Sequence, residues 1–186
     1  MNRRSTLLLM LAAVALPGCV TTASRDRLGG ELVASEYTLA SGDRLRVIVF
    51  GQDNLSNLYS VDGSGRITMP LIASVEVAGL TTQQVADRVS ARLRNGFIRE
   101  PRVTVEIDTY RPFYILGEVA RSGQFPYATG MTVQTAVAVA GGFTPRAAQS
   151  FASLSRQIDG EIVTANVPIH EPVRPGDTIV VKERWF

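Results

Sequence analysis

The stretch RPFYILGEVARSGQFPYATGMTVQTAVAVAGGFTPRA, Arg111–Ala147, places a strand, a turn, a capped helix and a helix stop in one run. Pro112 has no amide to donate to a ladder, so a strand FYILGEV is expected from Phe113, with Tyr110–Pro112 marking a boundary between two units. RSGQ turns the chain into FPY. Thr132 carries the oxygen that satisfies open amides in a first helical turn, which predicts a short helix over Val133–Ala140. Gly141 and Gly142 follow, and at least one is expected in the left-handed conformation that ends a helix. Downstream, Ala152–Arg156, Ile162–Val167 and Thr178–Lys182 read as three extended segments. One helix packed on a mixed sheet makes this second module α+β.

Upstream the pattern is related. After the SGD turn at Ser41–Asp43, RLRVIVF alternates, with Leu45, Val47 and Val49 on one face. Ile48 and Phe50 share the other face with Arg46, so this strand is expected to be covered on both sides. Tyr59–Val61, RITMPLI and SVEVAG are further extended stretches, and VDGSGR between them is a tight turn. Over Leu80–Asn95 the period changes: Thr81 and Gln84 have capping-box spacing, Val85, Val89 and Leu93 share a helical face, and Gly96 stops the helix. RVTVEID then returns to alternation, with Val103, Val105 and Ile107 inward. The two modules echo each other: GRITMP then GLTTQQV is matched by GQFPY then GMTVQTA, and GDRLRVIV at Gly42 by GDTIVVKE at Gly176. The spacings differ, so this is a repeated building plan and not a short-period solenoid.

At the other end, Arg3 and Arg4 precede an apolar run, Leu7–Leu16, in the order of a secretory signal. The run is about half of the ~20 residues a spanning helix needs, so residues 1–18 are expected to be removed. LPGC at Leu16–Cys19 resembles the lipobox of bacterial lipoproteins, although Pro17 stands where that motif usually has a small or β-branched residue. The resemblance implies diacylglycerol on the thiol of Cys19, the only cysteine. Val20 beside it, by the same resemblance, favours sorting to the outer membrane. Residues 19–36 are polar and without clear period, which suits a lipidated tether.

Removing Arg3 and Arg4 with the leader leaves as many Lys and Arg as the 17 Asp and Glu. The broad positive field that nucleic-acid binding needs is then lacking. One cysteine cannot form a disulfide within the chain. His170, the only histidine, lies in VPIHEP and reads as a solvated loop residue. The sequence contains no HExxH, CxxC, GxSxG or Walker glycine loop. VDGSGR supplies a single carboxylate, too few for a calcium loop. No catalytic, metal or cofactor residue is singled out, and the chain is expected not to be an enzyme.

YTLASGDRLRVIVFG, LSNLYSVDGSGRITMPLIASVEVAGLTTQQVADRV and PRVTVEI, in that order, are similar to the N-terminal domain of the outer-membrane polysaccharide export family. Arg111–Ala147 is similar to the soluble-ligand-binding β-grasp (SLBB) domain that follows it there. The resemblance runs from Tyr37 to Lys182 and implies a polysaccharide-export domain over 37–109 and an SLBB domain over 110–186. It also implies a lipoprotein of the outer membrane, facing the periplasm. Such proteins form rings through which capsule or exopolysaccharide leaves the cell, with an inner-membrane polysaccharide co-polymerase as partner. Large members carry a C-terminal amphipathic helix that forms the outer-membrane barrel. This sequence reaches KERWF soon after its last strand, so a short form is expected, with a separate outer-membrane barrel protein as a further partner.

The competing expectation is a monomeric glycan-binding or soluble-ligand-binding periplasmic lipoprotein, since β-grasp alone fixes no activity. Tyr110, Phe113, Tyr114 and Tyr127 are the aromatics that could stack on sugars, with core packing the heavier expectation for strand aromatics. Trp185 and Phe186 are expected to close the core beside the last strand. The pore-lining residues have no sequence signature.

Overall fold

The computed structural model describes residues 36–158 and 160–184. The expectations for the leader, for Cys19 and for Trp185 and Phe186 lie outside these residues.

In the first module, β1 (Arg44–Val49) alternates buried and exposed, and Leu45, Val47 and Val49 are the inward side chains. It pairs antiparallel with β2 (Asn57–Ser60) and β5 (Val103–Thr109), giving the order β2-β1-β5. β3 (Arg66–Met69) and β4 (Ala73–Glu76) form a separate antiparallel hairpin. The helix α1 (Thr82–Arg94) begins with the expected capping box: Gln84 N donates to Thr81 Oγ1 at 3.3 Å and Thr81 N to Gln84 Oε1 at 3.0 Å. Both reciprocal bonds satisfy amides that a helix start leaves open. Val85, Val89 and Leu93 face Leu45, Val47, Ile67 and Val75 in one buried cluster. From the outer flank, Arg88 donates to the Glu76 carbonyl at 3.0 Å and Arg92 to that of Ser74, tying α1 to β4.

The expectation that β1 is covered on both sides is corrected. Ile48 is 43% exposed and Phe50 77%. Alternation reveals two distinct faces, but the presence of a second layer depends on tertiary structure, and among the described residues none buries Ile48 or Phe50.

The second module has its own core. β6 (Phe113–Gly117), β7 (Gly123–Phe125), α2 (Val133–Val139), β8 (Phe151–Ile158), β9 (Glu161–Pro168) and β10 (Thr178–Val181) follow in chain order. The sheet order is β7-β6-β10-β8-β9, with β10 parallel to β6 and antiparallel to β8. A parallel pair needs a long crossover, and the stretch from α2 through β9 supplies it. Val133, Ala136 and Val137 of α2 lie on Phe113, Ile115, Leu154 and Ile179. The fold is thus two-module α+β. β8 and β9 outrun the expected segments because their pairing continues from Phe151↔Pro168 to Ile158↔Glu161, past the last inward apolar residues. Gly141 and Gly142 both take positive φ, 91° and 95°, directly after α2.

Candidate functional site

The sequence echo of the two Gly-Asp turns is a structural identity. Asp43 N donates to Ala40 O at 3.1 Å, and Asp177 N to Arg174 O at 3.2 Å. Each carboxylate folds back on its own turn: Ala40 N reaches Asp43 Oδ2 at 2.8 Å and Arg174 N reaches Asp177 Oδ2 at 2.7 Å. Gly42 and Gly176 sit at φ 95° and 85°, a conformation that side chains resist. Each turn is also hung on its helix start in the same way. Leu39 N donates to Leu80 O and Val173 N to Met131 O, both at 2.9 Å, one residue before the N-caps Thr81 and Thr132. The shared unit is therefore turn, strand and capped helix. In the first module the turn precedes the helix in the chain, and in the second it follows.

The turns differ in what neutralises their fully buried carboxylates. Asp177 is held within its own module by Arg156, whose Nε and Nη2 donate at 2.9 and 2.8 Å. The same guanidinium donates to Pro172 O at 3.1 Å. This fork geometry suits the planar guanidinium and compensates a buried charge. Asp43 is reached instead from the segment between modules. Arg111 N donates to Asp43 Oδ1 at 2.8 Å, Arg111 Nη1 to Oδ2 at 3.4 Å, and Tyr37 Oη to Oδ2 at 2.7 Å. Arg111 Nη1 also donates to Tyr37 Oη at 3.1 Å. Burial and the bond to Asp43 push the Tyr37 hydroxyl pKa well above the usual tyrosine value. Tyr37, Tyr110 and Tyr127 continue this joint as a ladder of edge-on rings, with centroids 5.0 and 5.4 Å apart.

The outer faces of the two sheets contrast in charge. On the first, Arg44 Nε and Arg46 Nη2 flank Asp108 at 3.0 and 3.1 Å, and the bonds from Arg46, Thr109 and Arg44 hold the Asp108 pKa below the usual carboxylate range. On the second, a row runs across five strands as Gln124, Tyr114, Thr178, Ser155 and Thr164. The next row holds Leu116, Val180, Ser153 and Asn166. Neither row carries a charge.

Residues 31–108 match the family model of polysaccharide biosynthesis/export proteins and residues 112–165 that of the SLBB domain. The chain thus carries a polysaccharide biosynthesis/export domain followed by an SLBB domain. The exopolysaccharide production protein ExoF of Rhizobium meliloti is 34% identical over 149 residues, 74% of this chain and 33% of that one. The EPS I polysaccharide export outer membrane protein EpsA of Ralstonia nicotianae is 32% identical over 96 residues, 50% of this chain and 25% of its own. The polysialic acid transport protein KpsD of Escherichia coli is 24% identical over 161 residues, 80% of this chain and 28% of its own. The matches thus cover a third or less of each of these relatives.

Within this chain the sequence candidates separate. Phe113 is fully buried, Tyr110 and Tyr127 are half-buried in the ring ladder, and Tyr114, 42% exposed, stands on the uncharged face. His170 is exposed, as expected of a loop residue. Asp62 binds its own turn, accepting from Ser64 N, Ser64 Oγ and Arg66 N. Among the described residues no group of three or more His, Cys, Asp or Glu is placed to hold a metal ion, and no helix is long and apolar enough to cross a membrane. Asp43, Arg111 and Tyr37 were not singled out from sequence. The signal that could have found the first is the repeated Gly-Asp ahead of an apolar strand.

Proposed function

We propose that this chain is a lipid-anchored component of a polysaccharide exporter, held at the outer membrane through Cys19 and facing the periplasm. Several copies form a ring that gives capsule or exopolysaccharide a passage of defined width, without covalent chemistry on the sugar. Residues 37–109 act as the export domain and 110–186 as the SLBB domain, and an inner-membrane polysaccharide co-polymerase hands on the polymer. The observation that carries this reading is the occurrence of both family matches, in order, on one chain. The names of ExoF, EpsA and KpsD support polysaccharide as the class of cargo.

Deleting the gene is expected to abolish surface polysaccharide while cell-bound precursor persists, and unchanged surface polymer would refute the proposal. Cys19→Ser is expected to release the protein from membranes or leave its leader uncut. A fully processed, acyl-free mutant that stays on membranes would refute the anchor.

A second reading, a monomeric glycan-binding lipoprotein, is favoured by Tyr114, an exposed aromatic among hydroxyl and amide side chains on an uncharged sheet face. It predicts saccharide affinity in a single-chain species, lost in Tyr114→Ala.

A further inference from the structure

Arg111 lies between the two Gly-Asp turns and touches both. A Cβ on Gly42 would stand 3.4 Å from Arg111 Cβ, and one on Gly176 would stand 2.6 Å from Arg111 Nε. The second turn is bonded to the same segment: Gly176 N donates to Pro112 O at 3.0 Å, and Tyr114 N to Asp177 O at 2.9 Å. On the other side Asp43 takes both the amide and the guanidinium of Arg111. The side chain is only 27% exposed, and its guanidinium lies 5.8 Å from the Tyr37 ring centroid. Relative motion is the default for two modules of one chain, so a fixed orientation needs an identifiable contact that holds it. Here the segment Tyr110–Pro112 meets a buried anion in one module and a glycine turn without room for a side chain in the other.

We propose that Arg111 is a clamp: gripped by the Gly-Asp turn of each module, it locks the two modules in one relative orientation, and the buried charge of Asp43 holds it there. The repeated turn thereby has a joint use, since the first turn lends its carboxylate to the connection and the second lends its bare glycine backbone. A fixed angle between modules would keep export and SLBB layers in register if copies assemble, but the clamp itself does not depend on the export reading.

The test is a spin-label distance measurement on the full chain with Cys19→Ser, Gln83→Cys on α1 and Gln157→Cys on β8, diluted with unlabelled protein. The parent is expected to give one narrow distance distribution. Asp43→Asn and Arg111→Ala are each expected to broaden it at least ~2-fold while far-ultraviolet circular dichroism stays unchanged. Arg46→Ala, an arginine outside the joint, is expected to leave it narrow. A broad distribution in the parent, or an unchanged narrow one in both joint variants, overturns the clamp. If Asp43→Asn melts the first module, Arg111→Ala alone decides. Because the readout is a distance, a failed clamp and a failed export role are distinguishable.

Discussion

Asp43 and Asp177 occupy the same place in the same turn, yet one is neutralised across the module boundary and the other within its module. The difference lies in chain order. In the second module the turn comes last, after β8 has already delivered Arg156 to the core side of the sheet. In the first module the turn comes before every strand, no arginine among that module's described residues is bonded to it, and the charge is met by the segment that leads into the second module. One turn design therefore stabilises a module in one place and joins two modules in the other.

The largest effect is expected where the pair is deepest. Arg156 and Asp177 side chains are 5% and 1% exposed. Arg156→Ala strands a buried carboxylate with only its own turn amide, and should lower stability by about 3–5 kcal/mol in urea unfolding. Arg111→Ala should cost less, about 1–3 kcal/mol by the same measurement, because Asp43 keeps donors from Ala40, Tyr37 and the Arg111 backbone. Equal losses for the two variants would erase the distinction between an internal pair and a joint.

A third turn sharpens the point about backbone. At the junction of β3 and β4, Leu71 and the first residue of β4, Ala73, hold φ 67° and 52° without being glycine, and Ile72 N bonds Pro70 O at 2.8 Å across Leu71 in a positive-φ γ-turn. Where the Gly-Asp turns relieve this strain with glycine, the hairpin does not. Leu71, 54% exposed, loses little burial on truncation, so Leu71→Gly should stabilise the chain by about 1 kcal/mol in thermal melting. A destabilised variant would mean that the leucine side chain contributes more than its backbone costs.

The smallest effect is on pH dependence. Tyr37 has a raised pKa in the folded state, from burial and its bond to Asp43. Its contribution is fully present below the unfolded tyrosine value of 10.0 and is lost as pH climbs from there towards the folded value. Tyr37→Phe should therefore flatten part of the alkaline fall in melting temperature, and leave the rest to Tyr59 and Tyr127, which burial also raises. An unchanged alkaline slope would place the Tyr37 hydroxyl in contact with solvent.

Much of this architecture was legible in the sequence because its signals are local. Thr81 with Gln84, and Thr132 ahead of Val133, announce helix starts through side chains three residues or fewer from their partners, and Gly141 and Gly142 announce a stop. The matched GDRLRVIV and GDTIVVKE exposed the common turn. What the sequence did not show is which cation answers each aspartate. Arg111 is 68 residues from Asp43 and Arg156 is 21 from Asp177, and ion pairs at such separations leave no periodicity. Tyr110 and Tyr127 read as core or sugar platforms for the same reason, since their ladder with Tyr37 exists only after both modules fold. Ile48 and Phe50 show the opposite failure, where an apolar alternate face suggested a covering layer that the described residues do not supply.

The measurement that bears most directly on the export reading is the mass of the full, lipidated protein in mild detergent, taken by light scattering with the detergent subtracted. The account predicts a stable particle containing several copies of the chain. A single-chain particle that retains saccharide affinity would contradict it and leave the monomeric binding protein in its place.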